Sequence, residues 1–144
     1  MYRHNQNQLE FENFILPFSG KLRPDNRWVK LAGLIPWGKF EKDYSKTLKG
    51  SGFGSPARSV RVALGALIIK ERLGTSDRET VEHIRENPYL QYFLGFKEYK
   101  DEEPFHPTML VNFRKRISMD MLVKINDTVH KKSLSEKSKP YVSG

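Results

Sequence analysis

A chain of 144 residues with 38% hydrophobic and 12% aromatic side chains is too sticky for a disordered segment and long enough to bury the core of one domain. A formal net charge of +8, with a pI near 9.7, favours a polyanion as partner. The absence of cysteine excludes disulfides and thiolate chemistry.

Residues 1–8 are polar and lack the apolar core of a signal peptide, and the longest apolar run, 62-VALGALII-69, is too short to span a bilayer. A soluble, cytoplasmic protein is therefore expected. The stretch 9-LEFENFILPFSG-20 alternates for a few positions and stops at Pro17 and Gly20. It reads as a short strand or an extended arm that packs Phe11, Phe14, Ile15 and Phe18 onto the body.

From Asp25 the pattern turns helical. Asp25 or Asn26 can cap, and Trp28, Leu31 and Ile35 form one stripe that Pro36 ends. Trp37, Phe40, Tyr44 and Leu48 then repeat at three and four residues, a second amphipathic helix. The run 50-GSGFGSP-56 reads as a linker, since no strand precedes it and no Gly-Lys-Ser/Thr follows.

The segment 57-ARSVRVALGALIIKERLG-74 is apolar nearly all round and belongs inside a bundle, with Gly74 suited to the left-handed C-terminal position. Ser76 and Glu79 have the spacing of a capping box that starts a helix at 77-DRETVEHIREN-87, with Val81 and Ile84 facing in. Asn87-Pro88 restarts the chain as cap and first helical residue of 88-PYLQYFLG-95. Residues 97-KEYKDEEP-104 form a charged loop. Beyond it, from His106 on, eight Lys/Arg face three acids, so the basic excess sits in the last quarter.

Pro107 fits the first turn of a helix that runs to about Ile117. At about 100° per residue, Leu110, Phe113 and Ile117 form its buried seam. Thr108, Asn112 and Lys115 point the opposite way with Val111 beside them, and Arg114 and Arg116 flank the seam. Short polar groups and a methyl aimed at base edges, with cations at the groove walls, are what a DNA-reading helix presents. Three cations on an isolated helix are more often a solvated face. The compact helix–turn–helix–helix succession ahead of them, and the change of charge sign just before, favour DNA. Arg58 and Arg61, three apart on the central helix, either add backbone contacts or pair with Glu side chains. A last helix, 119-MDMLVKINDTVHKKS-133, carries Leu122, Ile125 and Val129 on its inner stripe, and 134–144 reads as a polar tail. The fold class is all-α: a compact multi-helix bundle over 1–133 with a helix-turn-helix-like segment and a short extended N-terminal arm.

Three stretches together resemble the N-terminal domain of bacterial insertion-sequence transposases of the DDE type, the InsH-like group. They are 17-PFSGKLRPDNRWVKLAGLIPW-37, 57-ARSVRVALGALIIKERLGTSDRETVEHIRENPYLQYFLGF-96 and 104-PFHPTMLVNFRKRI-117. The resemblance implies a helical, self-associating module that binds double-stranded DNA at the element's terminal inverted repeats, ahead of an RNase H-like domain whose three carboxylates hold two metal ions. The strands of such a domain are missing from this sequence. Asp101, Glu102 and Glu103 lie in a loop, and Asp120 and Asp127 on a helix, without the rigid frame that two-metal chemistry needs.

No enzyme activity is thus expected of the chain alone. The scattered histidines His4, His83, His106 and His130 give no metal site, and no cofactor is implied. The leading expectation is a DNA-binding module truncated before the catalytic domain. The upstream part of a frameshifted transposase and a helical dimerisation module are the alternatives.

Overall fold

The computed structural model describes residues 10–17, 20–41 and 56–138, with side chains for 60–134 of the last stretch. Six helices carry the fold among these residues: α1 (Arg27–Leu34), α2 (Pro56–Leu73), α3 (Asp77–Glu86), α4 (Pro88–Phe93), α5 (Met109–Arg116) and α6 (Met119–Ser138). Shorter helical segments cover 10–12 and 37–41. The fold is an all-α bundle. Its sole β-type pairing among the described residues is one parallel bridge between Ile15 and Glu98.

The helices begin and end where the local chemistry says they should. The Asn26 side chain accepts from Trp28 N–H at 2.8 Å to open α1. Ser76 and Glu79 form the reciprocal capping box that opens α3, and Asn87 caps α4 ahead of Pro88. Gly74 takes φ +65°, and the amides of Gly74 and Thr75 both donate to the Lys70 carbonyl, closing α2. A three-residue turn therefore separates α2 from α3.

α2 is the central rod. Ala63, Leu64, Ala66 and Ile69 are fully buried, because α3 and α5 both pack on it. α1 packs across α4 and α6, and α3 against α4. Trp28 and Trp37 both meet the Phe93 ring edge-on, with centroids at 5.2 and 5.4 Å. Phe14 is buried and stands edge-on to Tyr92 at 6.0 Å.

One buried polar side chain ties three segments together. The Gln91 amide nitrogen donates to the carbonyls of Ile84, Arg85 and Lys100, while its oxygen accepts from Lys100 N–H at 3.0 Å. The 97–104 loop is thereby fixed to the end of α3, as a buried amide requires.

Several expectations need correction. Ile15 does not pack inward: its side chain is 60% exposed, while its backbone bonds to Lys97 and Tyr99 in the bridge. Alternation along an extended segment puts Phe14 in and Ile15 out. The final helix does not give way to a tail at 134; it runs on to Ser138. α5 starts at Met109, two residues after Pro107, because the turn before it closes through i→i+3 bonds: Met109, Leu110 and Val111 N–H to the His106, Pro107 and Thr108 carbonyls. Phe18, Tyr44, Leu48 and the 50–55 linker lie outside the described residues.

Candidate nucleic-acid interface

α5 is held in one rotational setting by three contacts. Leu110, Phe113 and Ile117 are buried, as the spacing requires. Phe105, from the preceding loop, meets the Phe113 ring edge-on at 5.5 Å. On the third side, Arg114 forks onto the first helical residue of α3: Nη1 donates to Asp77 Oδ1 at 2.9 Å and Nη2 to Oδ2 at 3.1 Å. Lys70 at the end of α2 stands 3.7 Å from the same carboxylate.

Asp77 is thus the hub of α2, α3 and α5. The hydrogen bond from Arg114 holds its carboxyl below the ordinary value of 3.8 against a smaller opposing effect of burial, with charge attraction from Arg114 and Lys70 adding to it. The Arg114 guanidinium is pushed up by the same bond.

The outward face then falls on Thr108, Val111, Arg114 and Lys115, all exposed. Val111 is an exposed large hydrophobic at 39%. Thr108 leaves the start of α5 uncapped: its hydroxyl pairs with His106 Nδ1 at 2.8 Å, and its N–H donates to the same nitrogen at 3.2 Å. Asn112 and Arg116 lie half-buried on the shaded edge, with the Asn112 amide 3.9 Å from the Met109 sulfur. The exposed face is accordingly rotated from Asn112 toward Val111 and Arg114.

Arg61 belongs elsewhere. Nε donates to the Phe93 carbonyl at 3.0 Å, Nη2 to the Tyr92 carbonyl at 3.1 Å and Nη1 to Glu10 at 2.7 Å. The guanidinium also sits over the Trp37 and Tyr92 rings, and the side chain is only 17% exposed. Of the two alternatives raised for it, pairing with Glu is the one found. Nine residues separate it from Lys70, about 13 Å along α2 from the α5 contact. Arg58 lies in the first turn of α2, with its side chain outside the described residues.

Sequence spacing missed Asp77, because its partner Arg114 is 37 residues away. The one available signal was an acid in the first turn after a capping box, which also fits an unpartnered dipole role. Among the described residues no three His, Asp or Glu come together as metal ligands. Asp101, Glu102, Glu103, Asp120 and Asp127 are exposed on a loop and a helix, and Asp101 accepts from Arg85 at 3.0 Å. No described helix is long and apolar enough to cross a membrane.

The family model described as "Transposase domain (DUF772)" matches residues 17–116, from the segment ahead of α1 through the end of α5. The "Uncharacterized protein ORF8 in nfe locus" of Rhizobium meliloti is 35% identical over 96 residues, which cover 67% of this chain and 45% of that protein. The matched region thus spans under half the length of this relative. No solved structure matches.

Proposed function

Because the chain belongs to the transposase-domain family, we propose that its helical domain binds double-stranded DNA at the terminal inverted repeats of a mobile element through the outward face of α5. The observation that supports this most is the division of α5: an apolar seam seals one side, while Thr108, Val111, Arg114 and Lys115 stand in solvent on the other. A methyl-bearing side chain between polar and cationic ones suits a major groove, where thymine methyls and base-edge acceptors alternate.

Lys115 and Arg116 serve as backbone contacts in this reading, with Thr108 toward the bases and Asn112 reaching them from the half-buried edge of the face. Arg114 positions the helix through Asp77 and reaches phosphate only from its exposed edge. Phosphodiester cleavage falls to a separate metal-binding domain, and the helical domain contributes recognition alone.

The test is titration of labelled element-end DNA and scrambled DNA at two salt concentrations. Lys115→Ala and Arg116→Ala should weaken both DNAs and reduce the salt slope by about 0.9 for each phosphate no longer neutralised. Asn112→Ala should cost about 1–3 kcal/mol on the element end only, because it removes a base contact. If all three variants bind both DNAs like the wild type, α5 carries only a solvated face. A helical interaction module is the second reading, and the outer face of α6 favours it.

A further inference from the structure

α6 is a helix with two apolar faces and one neighbouring surface. Its inner face, Met121 and Ile125 with Leu122 and Val129 beside them, packs into the core. At 100° per residue, Met119, Val123, Asn126, His130 and Leu134 fall within about 80° of one another on the opposite side. All five are exposed. Met119 at 74%, Val123 at 51% and Leu134 at 51% are three of the five exposed large hydrophobics among the described residues. These residues lie beyond the segment matched by the family model, which ends at 116.

We infer that this face is the contact for a second copy of the chain, paired antiparallel across a two-fold axis that passes between Asn126 and Asp127. The positions are symmetric about that point. The axis sets Met119 against the partner's Leu134, Val123 against the partner's His130, and Asn126 beside its own counterpart. Apolar groups thus meet at the two ends and polar ones at the centre.

Charge selects this orientation. Asp120, Lys124, Asp127 and Lys131 run along a single edge of the stripe, all exposed and alternating in sign. A two-fold axis perpendicular to the helices brings that edge onto the same edge of the partner. Asp120 then faces the partner's Lys131, and Lys124 the partner's Asp127, on both sides of the axis. Flanking charges of this kind set partner orientation in paired helices.

A parallel pair would instead turn the edge toward Leu122, Val129 and Ser133, where no matching charge exists. Nucleic acid fits the face poorly, since phosphates would meet Asp120 and Asp127, one acid in about every two turns. The contact spans about 22 Å of one helix. Such a length lies at the low end of stable interfaces, so the dimer is reversible and concentration-dependent.

The inference rests on α6 alone, and its readouts involve no DNA. Light scattering and sedimentation of the full chain should show a monomer–dimer equilibrium. Lys124→Asp should weaken it by about tenfold or more, since two like-charge pairs replace two opposite ones, and adding Asp127→Lys should restore it. Circular dichroism on each variant checks that α6 is retained.

The native absence of cysteine makes single-cysteine linking clean. On oxidation, Asn126→Cys should link to itself. Met119→Cys should not, yet should link to Leu134→Cys in a mixture of the two. A monomer at every concentration, self-linking of Met119→Cys without Asn126→Cys, or a double charge variant no better than Lys124→Asp would each overturn the pairing.

Discussion

Two arginines on the helices of this bundle meet opposite fates. Arg61, near the start of α2, is enclosed by Tyr92, Phe93, Trp37 and Glu10, with each of its three guanidinium nitrogens engaged. Arg114, near the end of α5, keeps 44% of its side chain in solvent while one flat fork holds Asp77. Both are cations at helical spacing beside an apolar seam. What separates them is the neighbour: the two carbonyls at the end of α4 close over Arg61 together with the Tyr92 and Trp37 rings, whereas α3 offers α5 only its first carboxylate. A cation in the first setting holds the fold together. In the second it leaves an accessible surface.

The seam beneath each region should give the largest effects. Leu64 is fully buried on α2 and Phe113 nearly so on α5. Truncating either to Ala should cost about 2–5 kcal/mol, because neighbours collapse only partly into the space left. Chemical denaturation measures it. An unchanged midpoint for Phe113→Ala would mean that α5 is rotated from its observed setting, and the two regions could no longer be contrasted.

Next comes Arg61 itself. Arg61→Ala takes the guanidinium donors from the Tyr92 and Phe93 carbonyls, of which Tyr92 keeps the Gly95 N–H, and removes a cation from two aromatic faces. A loss of about 1–3 kcal/mol is expected. Arg61→Lys should recover little of it, since an ammonium cannot span both carbonyls and lie flat on the rings. Lys115→Ala, by contrast, should leave the melting temperature within error while changing DNA affinity. If Arg61→Ala folded normally and lost DNA binding instead, the assignment of the two regions would be reversed.

Much of this was legible beforehand, for physical reasons that differ by element. Caps and seams are local, so Ser76–Glu79, Asn87–Pro88 and Gly74 announced their helices, and Leu110, Phe113 and Ile117 fixed the phase of α5. The enclosure of Arg61 was not legible, because Phe93 and Tyr92 lie 32 and 31 residues away and donate backbone oxygens, which any residue possesses. Gln91 escaped for the same reason: its partners are carbonyls of Ile84, Arg85 and Lys100. Ile15 cannot join Phe14 in the core, because neighbours in an extended segment point to opposite faces and grouping them by hydrophobicity ignores that.

The smallest effect belongs to the link that orients α5. The Arg114–Asp77 fork is partly exposed, so solvent screens it, and Asp77→Asn should cost only about 0.2–1 kcal/mol at neutral pH. Its pH dependence is more informative. The folded-state carboxyl titrates below the ordinary 3.8, first because Arg114 donates to it. A group lowered in this way contributes stability that is complete above the unfolded value and fades as pH falls through the folded one. Wild type should therefore lose stability more steeply than Asp77→Asn below about pH 4. Some acid loss should remain in the variant, because the Glu79 carboxyl is also lowered, chiefly by the Ser76 backbone N–H. Arg114→Ala should flatten the same limb. Parallel acid limbs for wild type and both variants would show that the fork is not formed in solution. α5 would then be oriented by its seam alone, and Arg114 would stand as open to phosphate as Lys115.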